Sequence, residues 1–177
     1  NALVEHNKIM NVGYGIYWKD HFIQDSARTP VTESEIRYNE ISSSSRGLNI
    51  GIMGQNSEEA GNSYFHHNII YGFGNEAAGI HIALAGAGGI GGTMRIENNL
   101  LDGNNNASSF GISVDSSRGV YMRGNIIMRT SLDAEIITYS DVGAKIPHIL
   151  AQDYNVYDST FSLIADRYSS ASKAYST

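Results

Sequence analysis

The sequence predicts an all-β solenoid, a right-handed parallel β-helix of about six coils with three short strands each. Three observations carry this reading: an asparagine that recurs at near-regular spacing, aliphatic columns at fixed offsets on either side of it, and a glycine-led alternating strand that follows. The asparagines sit in VEHNKIM at Asn7, IRYNEIS at Asn39, FHHNIIY at Asn68, IENNLLD at Asn99, MRGNIIM at Asn125 and QDYNVYD at Asn155, at intervals of 32, 29, 31, 26 and 30 residues. A period in that range is the signature of stacked units that bury one another's apolar faces.

Around each asparagine the pattern is strand, tight turn, strand. Three residues before it stand Val4, Ile36, Phe65, Ile96 and Met122, with Gln152 the exception, and these point inward. The next position, Glu5, Arg37, His66, Glu97, Arg123 and Asp153, is polar, and period-2 alternation turns it outward with signs that alternate in part. Two residues after the asparagine the core returns with Ile9, Ile41, Ile70, Leu101, Ile127 and Tyr157. A tight corner leaves backbone groups unpaired and favours Asn or Gly in left-handed conformation, so the asparagine is expected there. Stacking would join Asn7, Asn39, Asn68, Asn99, Asn125 and Asn155 into a hydrogen-bonded ladder.

The third strand of each coil is led by glycine in GIYWKD from Gly15, GLNIGIM from Gly47, GIHIAL from Gly79 and GISVDS from Gly111. The last two coils offer AEIITY from Ala134 and SLIADRY from Ser162 without it. Alternation turns Ile16, Leu48, Ile80 and Ile112 inward and leaves Tyr17, Asn49, His81 and Ser113 as an outer row. Two residues further on the same logic exposes Lys19, Gly51, Ala83 and Asp115, a row with a bare middle. Variable loops fall at about residues 21–34, 54–63, 85–93, 116–119 and 140–149, where insertions leave stacking undisturbed.

The 177 residues form one domain, 1–168, followed by a small polar tail, 169–177, that is expected to fray. Leu3 and Val4 already belong to a coil, so no N-terminal cap is expected, and an open end of this kind invites self-association or flanking coils. Twelve Lys and Arg against 18 Asp and Glu give a net charge of -6, which argues against nucleic acid. No apolar run approaches the roughly 20 residues of a membrane helix, so no membrane partner is expected. With no cysteine, the redox compartment is unreadable.

The recurring xNxI pattern, its asparagine ladder, coils of roughly 30 residues and one variable corner resemble the pectin-lyase-like superfamily over about residues 1–165. The resemblance implies an extracellular or periplasmic protein that handles a polysaccharide or oligosaccharide along the outer face of one sheet. Members include polysaccharide lyases, glycoside hydrolases, mannuronan epimerases and phage tailspikes, and the motif marks their scaffold without choosing a chemistry.

In a lyase of this kind a Lys or Arg base removes the proton beside a uronate carboxylate while a cation or basic group neutralises that carboxylate. Lys19 is the best-placed amine, and His81, with an ordinary imidazole pKa of about 6.5, needs less tuning to serve as acid or base. Asp115 completes the catalytic set. Tyr17, Asn49, Ser113 and Tyr139, with Asp20 and Arg28 from the long loop KDHFIQDSAR, are the substrate-binding candidates. The residues themselves demand no cofactor, and Ca2+ is the cation to consider. A hydrolase would instead need two carboxylates about 5 to 9 Å apart. Asp102 or Asp115 with Asp20, Asp25 or Asp141 could supply them, but no pair falls in register. His66 and His67, adjacent on a strand, are expected to point to opposite faces as structural residues, without joint metal ligation. AGAGGIGG, 85–92, lacks the Lys and Ser or Thr of a phosphate loop. An enzyme, a carbohydrate-binding or adhesion module of tailspike type, and a purely structural solenoid remain the three readings.

Overall fold

The computed structural model describes residues 2–19, 33–43, 50–55, 62–73, 77–83, 94–104, 109–115, 120–130, 132–138, 149–157, 164–168 and 172–175, some strand positions by backbone alone. The chain runs through strands in triplets: β1 (Ala2–Glu5), β2 (Lys8–Val12) and β3 (Tyr14–Lys19), then β4 (Glu33–Arg37), β5 (Glu40–Ser43) and β6 (Ile50–Gln55). Next come β7 (Asn62–His66), β8 (Ile69–Tyr71) and β9 (Ala77–Ala83), then β10 (Met94–Glu97), β11 (Leu100–Asp102) and β12 (Ser109–Asp115). β13 (Val120–Arg123), β14 (Ile126–Met128), β15 (Leu132–Thr138), β16 (Ile149–Asp153), β17 (Val156–Tyr157), β18 (Ile164–Tyr168) and β19 (Ser172–Tyr175) follow.

Every third strand joins the same sheet. Sheet A is β1-β4-β7-β10-β13-β16, sheet B is β2-β5-β8-β11-β14-β17, and sheet C is β3-β6-β9-β12-β15-β18 with β19 at its edge. All pairings are parallel except β18 with β19. The described residues are thus all-β, in parallel sheets, an arrangement compatible with a β-helix.

The aliphatic columns sit where alternation put them. Ile36, Phe65, Ile96 and Met122 of sheet A, Ile41, Ile70, Leu101 and Ile127 of sheet B, and Ile16, Ile80 and Ile112 of sheet C form one buried cluster, with Val4, Ile9 and Tyr157 packed against it. At ~1.5–3 kcal/mol for each large apolar side chain removed from water, this cluster is the main stabilising term. On the outside of sheet A, Glu5, Arg37, His66, Glu97, Arg123 and Asp153 occupy one register row. Arg37 reaches Glu5 at 2.7 Å and Arg123 reaches Asp153 at 2.8 Å across strands.

The asparagine ladder is continuous. Each side-chain Nδ2 donates to the Oδ1 of the next asparagine, from Asn7 to Asn39, Asn68 and Asn99 at 3.0 Å, then to Asn125 at 3.0 Å and Asn155 at 2.9 Å. The same Oδ1 also accepts the backbone N–H of the preceding asparagine, at 2.9–3.1 Å. From Asn39 onward Nδ2 also donates to the carbonyl of the inward residue one repeat back, as from Asn68 to Ile36 at 3.0 Å. One side chain therefore satisfies polar groups of three successive corners.

Three sequence expectations need correction. The left-handed residue is the one before each asparagine: His6, Tyr38, His67, Asn98, Gly124 and Tyr154 have φ of 57°, 53°, 54°, 54°, 62° and 58°. The asparagine itself is selected for its amide, and its ladder bonds offset the roughly 1–2 kcal/mol that an L residue loses in that conformation. Secondly, β6 begins at Ile50, and Ile52 pairs with Ile16 and Ile80 in the register assigned to Leu48. Residues 48, 50 and 52 share parity, so alternation alone leaves the strand free to slide by two or four. Spacing from the ladder does not decide it either, since Ile16 lies 9 residues after Asn7 and Ile112 lies 13 after Asn99. Thirdly, Ser172–Tyr175 of the tail pairs antiparallel along β18, covering the end strand of sheet C.

Candidate functional site

One register row of sheet C runs through Tyr17, Met53, His81, Ser113 and Glu135. Tyr17 is exposed, His81 half-buried and Ser113 buried. His81 and Ser113 are direct cross-strand partners, as predicted. The second row is Lys19, Gln55, Ala83, Asp115 and Ile137, so Gln55 stands where Gly51 was expected and the bare trough over Gly51 and Ala83 is lost to the register of β6. Lys19 and Asp115 share this row three strand steps apart, about 14 Å at ~4.8 Å per step. Asn49, Tyr139, Asp20 and Arg28, with Asp25, Asp141 and the stretch 85–92, lie outside the described residues.

Asp102, considered above as a hydrolytic carboxylate, is held by Arg129. Its Oδ1 accepts from Arg129 Nε at 2.8 Å, its Oδ2 accepts from Arg129 Nη2, and the backbone N–H of Asn104 donates to it at 3.0 Å. Burial pushes its carboxyl up, but the Arg129 and Asn104 bonds win and hold it below the ordinary value of 3.8. A carboxylate so committed binds its neighbours and gives up no proton.

A denser cluster lies at the corner between sheets A and B, in the first three repeats. His66 and His67 do not point to opposite faces. The left-handed backbone at His67 breaks strand alternation and swings its ring back, so that the two Nδ1 atoms meet at 2.7 Å. His66 is 6% exposed, its Nε2 lies 2.6 Å from Glu35 Oε1, and its ring stacks on Tyr64 at 4.0 Å between centroids. Glu35 also accepts from Arg37 Nη1 at 3.0 Å. The hydrogen bond from His66, then the charge of Arg37, hold the Glu35 carboxyl below its ordinary 4.5 against the opposing effect of burial.

Around this pair the left-handed column forms a ring stack. His6 lies on Tyr38 at 5.3 Å with 9° between planes, and His67 lies beyond Tyr38 at 5.2 Å. Arg37 also stands over the Tyr38 ring at 5.6 Å. One strand further along, Tyr64 donates to Glu97 Oε2 at 2.7 Å; burial, then that carboxylate, push its phenol up to about 12. Sequence reasoning missed the cluster because it assigned the left-handed turn to the asparagine. Had the preceding column been read as the corner, His6, Tyr38 and His67 would have stood out as three aromatic rings at one strand spacing.

Sheet B carries a different surface. Ile69, Ile126 and Val156 are exposed in one register row with the half-buried Leu100, an apolar stripe ending at Glu40 and Lys8, which pair at 3.1 Å. Among the described residues no three His, Asp, Glu or Cys side chains gather as they would to hold a metal ion. No family model, curated protein or solved structure matches the chain.

Proposed function

We propose that the chain is a right-handed parallel β-helix of about six coils, of the pectin-lyase-like kind, that binds an extracellular, uronate-containing polysaccharide along the outer face of sheet C and cleaves it by β-elimination. The observation that supports this reading is the register row Tyr17, Met53, His81, Ser113 and Glu135, which repeats once per strand along the face. A row that advances ~4.8 Å per strand, with Tyr17 exposed and His81 half-buried on it, suits an extended polymer lying across the strands.

His81 is the preferred base, because it is a direct neighbour of Ser113 while Lys19 stands three strand steps from Asp115 and does not share a sugar with it. The base takes the proton from the carbon beside the uronate carboxylate, a carbon–carbon double bond forms, and the glycosidic oxygen leaves with its electron pair and picks up a proton from water. The wide separation of Lys19 and Asp115 also favours a second reading, binding without turnover.

Incubation with a panel of uronate polymers, read by the ultraviolet absorbance of the unsaturated product, tests the first reading. Product from the wild type and none from His81→Ala supports it. New reducing ends on neutral glycans without unsaturated product would replace it with hydrolysis, and glycan binding that survives the combined Lys19→Ala and His81→Ala change without turnover would replace it with a binding module.

A further inference from the structure

We propose that the corner between sheets A and B carries a separate proton-transfer site, in which Nε2 of the exposed His67 acts as a general base on carboxylic ester substrates while His66 and Glu35 position it. The site does not depend on the polysaccharide reading, and it lies on a different sheet from the row that reading uses.

Proton bookkeeping fixes the roles. Glu35 is held ionised and only accepts, so the His66 Nε2 at 2.6 Å from it carries a hydrogen. In the neutral pair His66 has no second proton, so its Nδ1 accepts, and the His67 Nδ1 at 2.7 Å donates. The lone pair of His67 is thereby placed on Nε2, which belongs to an exposed ring and has no hydrogen-bond partner among the described residues. When Nε2 takes a proton, the shared Nδ1 proton can pass to His66, and the positive charge then rests against the Glu35 carboxylate in a nearly buried position. Acyl-transfer enzymes orient a general-base imidazole by a carboxylate on its other nitrogen, and here Glu35 acts on His67 through the His66 ring between them.

The rest of the cluster selects the reaction class. Glu5 and Glu35 are taken by Arg37, and Glu97 accepts from Tyr64, so every carboxylate of the cluster is engaged as an acceptor. No carboxylic acid is poised to protonate a glycosidic oxygen, as glycoside cleavage requires. A single base that can return its proton suits an electrophile needing no further acid, and an ester is that electrophile. The His67 Nε2 takes a proton from water, the water oxygen bonds to the acyl carbon, and the bond to the alcohol oxygen breaks as the imidazolium hands the proton to the leaving alkoxide. Ester and water give acid and alcohol, with the base restored.

Hydrolysis of 4-nitrophenyl acetate by the full chain is the test. His67→Asn is the informative variant, since Asn98 holds the equivalent left-handed position one repeat on and the backbone accommodates it. A loss of roughly 10²-fold, the lower end of what a positioned base contributes, is expected. Glu35→Gln keeps an acceptor beside His66 but removes the charge that stabilises the protonated pair, so kcat is expected to fall about 10-fold with KM unchanged. Wild-type rates in His67→Asn, or a wild-type kcat in Glu35→Gln, overturn the proposal.

Discussion

Replacing Asn68 with alanine tests the ladder at its most buried stretch. Asn68 is 1% exposed and takes part in six bonds, of which two survive the change: its backbone N–H to Asn99 Oδ1 and its carbonyl, which accepts from the Leu100 N–H. Its Oδ1 accepts from the backbone N–H and the Nδ2 of Asn39 at 3.1 and 3.0 Å, and its Nδ2 donates to the Ile36 carbonyl and to Asn99 Oδ1, both at 3.0 Å. Four lost bonds at ~1 kcal/mol net each come to about 4 kcal/mol, and the Asn39 N–H, left without an acceptor in a buried corner, raises the total to roughly 4–6 kcal/mol. Against a typical stability of ~5–15 kcal/mol, that loss lowers the urea midpoint severely or abolishes folding. Asn7→Ala is the matched control. Its side chain only donates, to Asn39 Oδ1 and to the Glu5 carbonyl, in an exposed setting, and the change should cost under about 1 kcal/mol. Urea unfolding followed by far-ultraviolet circular dichroism reads both. Similar losses at the two positions, or less than about 1 kcal/mol at Asn68, would refute the claim that burial of the interlocked amides sets the cost.

Gly103→Ala should lower stability by about 1–3 kcal/mol, seen as a drop in Tm, because a Cβ there would lie 2.6 Å from the Arg129 carbonyl oxygen and 2.7 Å from the buried Ser109 Oγ. An unchanged Tm would mean that the corner yields. Tyr64 should lose its proton near 12, above its ordinary 10.0, because burial and then the Glu97 carboxylate disfavour the phenolate. Its folded pKa is the higher one, so the stability it contributes is complete below pH 10 and is lost as pH rises through about 12. The difference in tyrosinate absorbance between the wild type and Tyr64→Phe should show that late step, and a step near 10 would contradict it.

The parts of the fold that were legible in the sequence are those in which one residue type does one job at a fixed offset. The columns through Ile36 and Ile41 were readable because a side chain three before or two after the asparagine lies on the same strand as the turn that fixes its phase. The ladder was readable because stacked amides have no equivalent partner elsewhere, and a change of residue type would interrupt the chain of bonds. Where a loop separates the strand from that turn, phase is kept but register is not. Leu48 and Ile52 are equally good inward residues, and only the length of the connection after Asn39 chooses between them. The expected trough of sheet C failed on that point, although His81, Ser113 and Tyr17 remain in one row.

The corner cluster was illegible for a different reason. Period-2 reasoning assumes extended backbone at both residues of a pair, and His66 and His67 break that assumption within one peptide bond. Whether adjacent histidines diverge or touch is decided by a single φ, which neither hydropathy nor spacing reports. The sign was nevertheless in the column. If a turn were merely tolerant, glycine and asparagine would dominate the position before the ladder, as they do at Gly124 and Asn98. Histidine and tyrosine hold the other four places, His6, Tyr38, His67 and Tyr154. In the first three repeats the rings placed there, His6, Tyr38 and His67, pack on one another beside Glu35 and His66, so the left-handed column is what brings the cluster together.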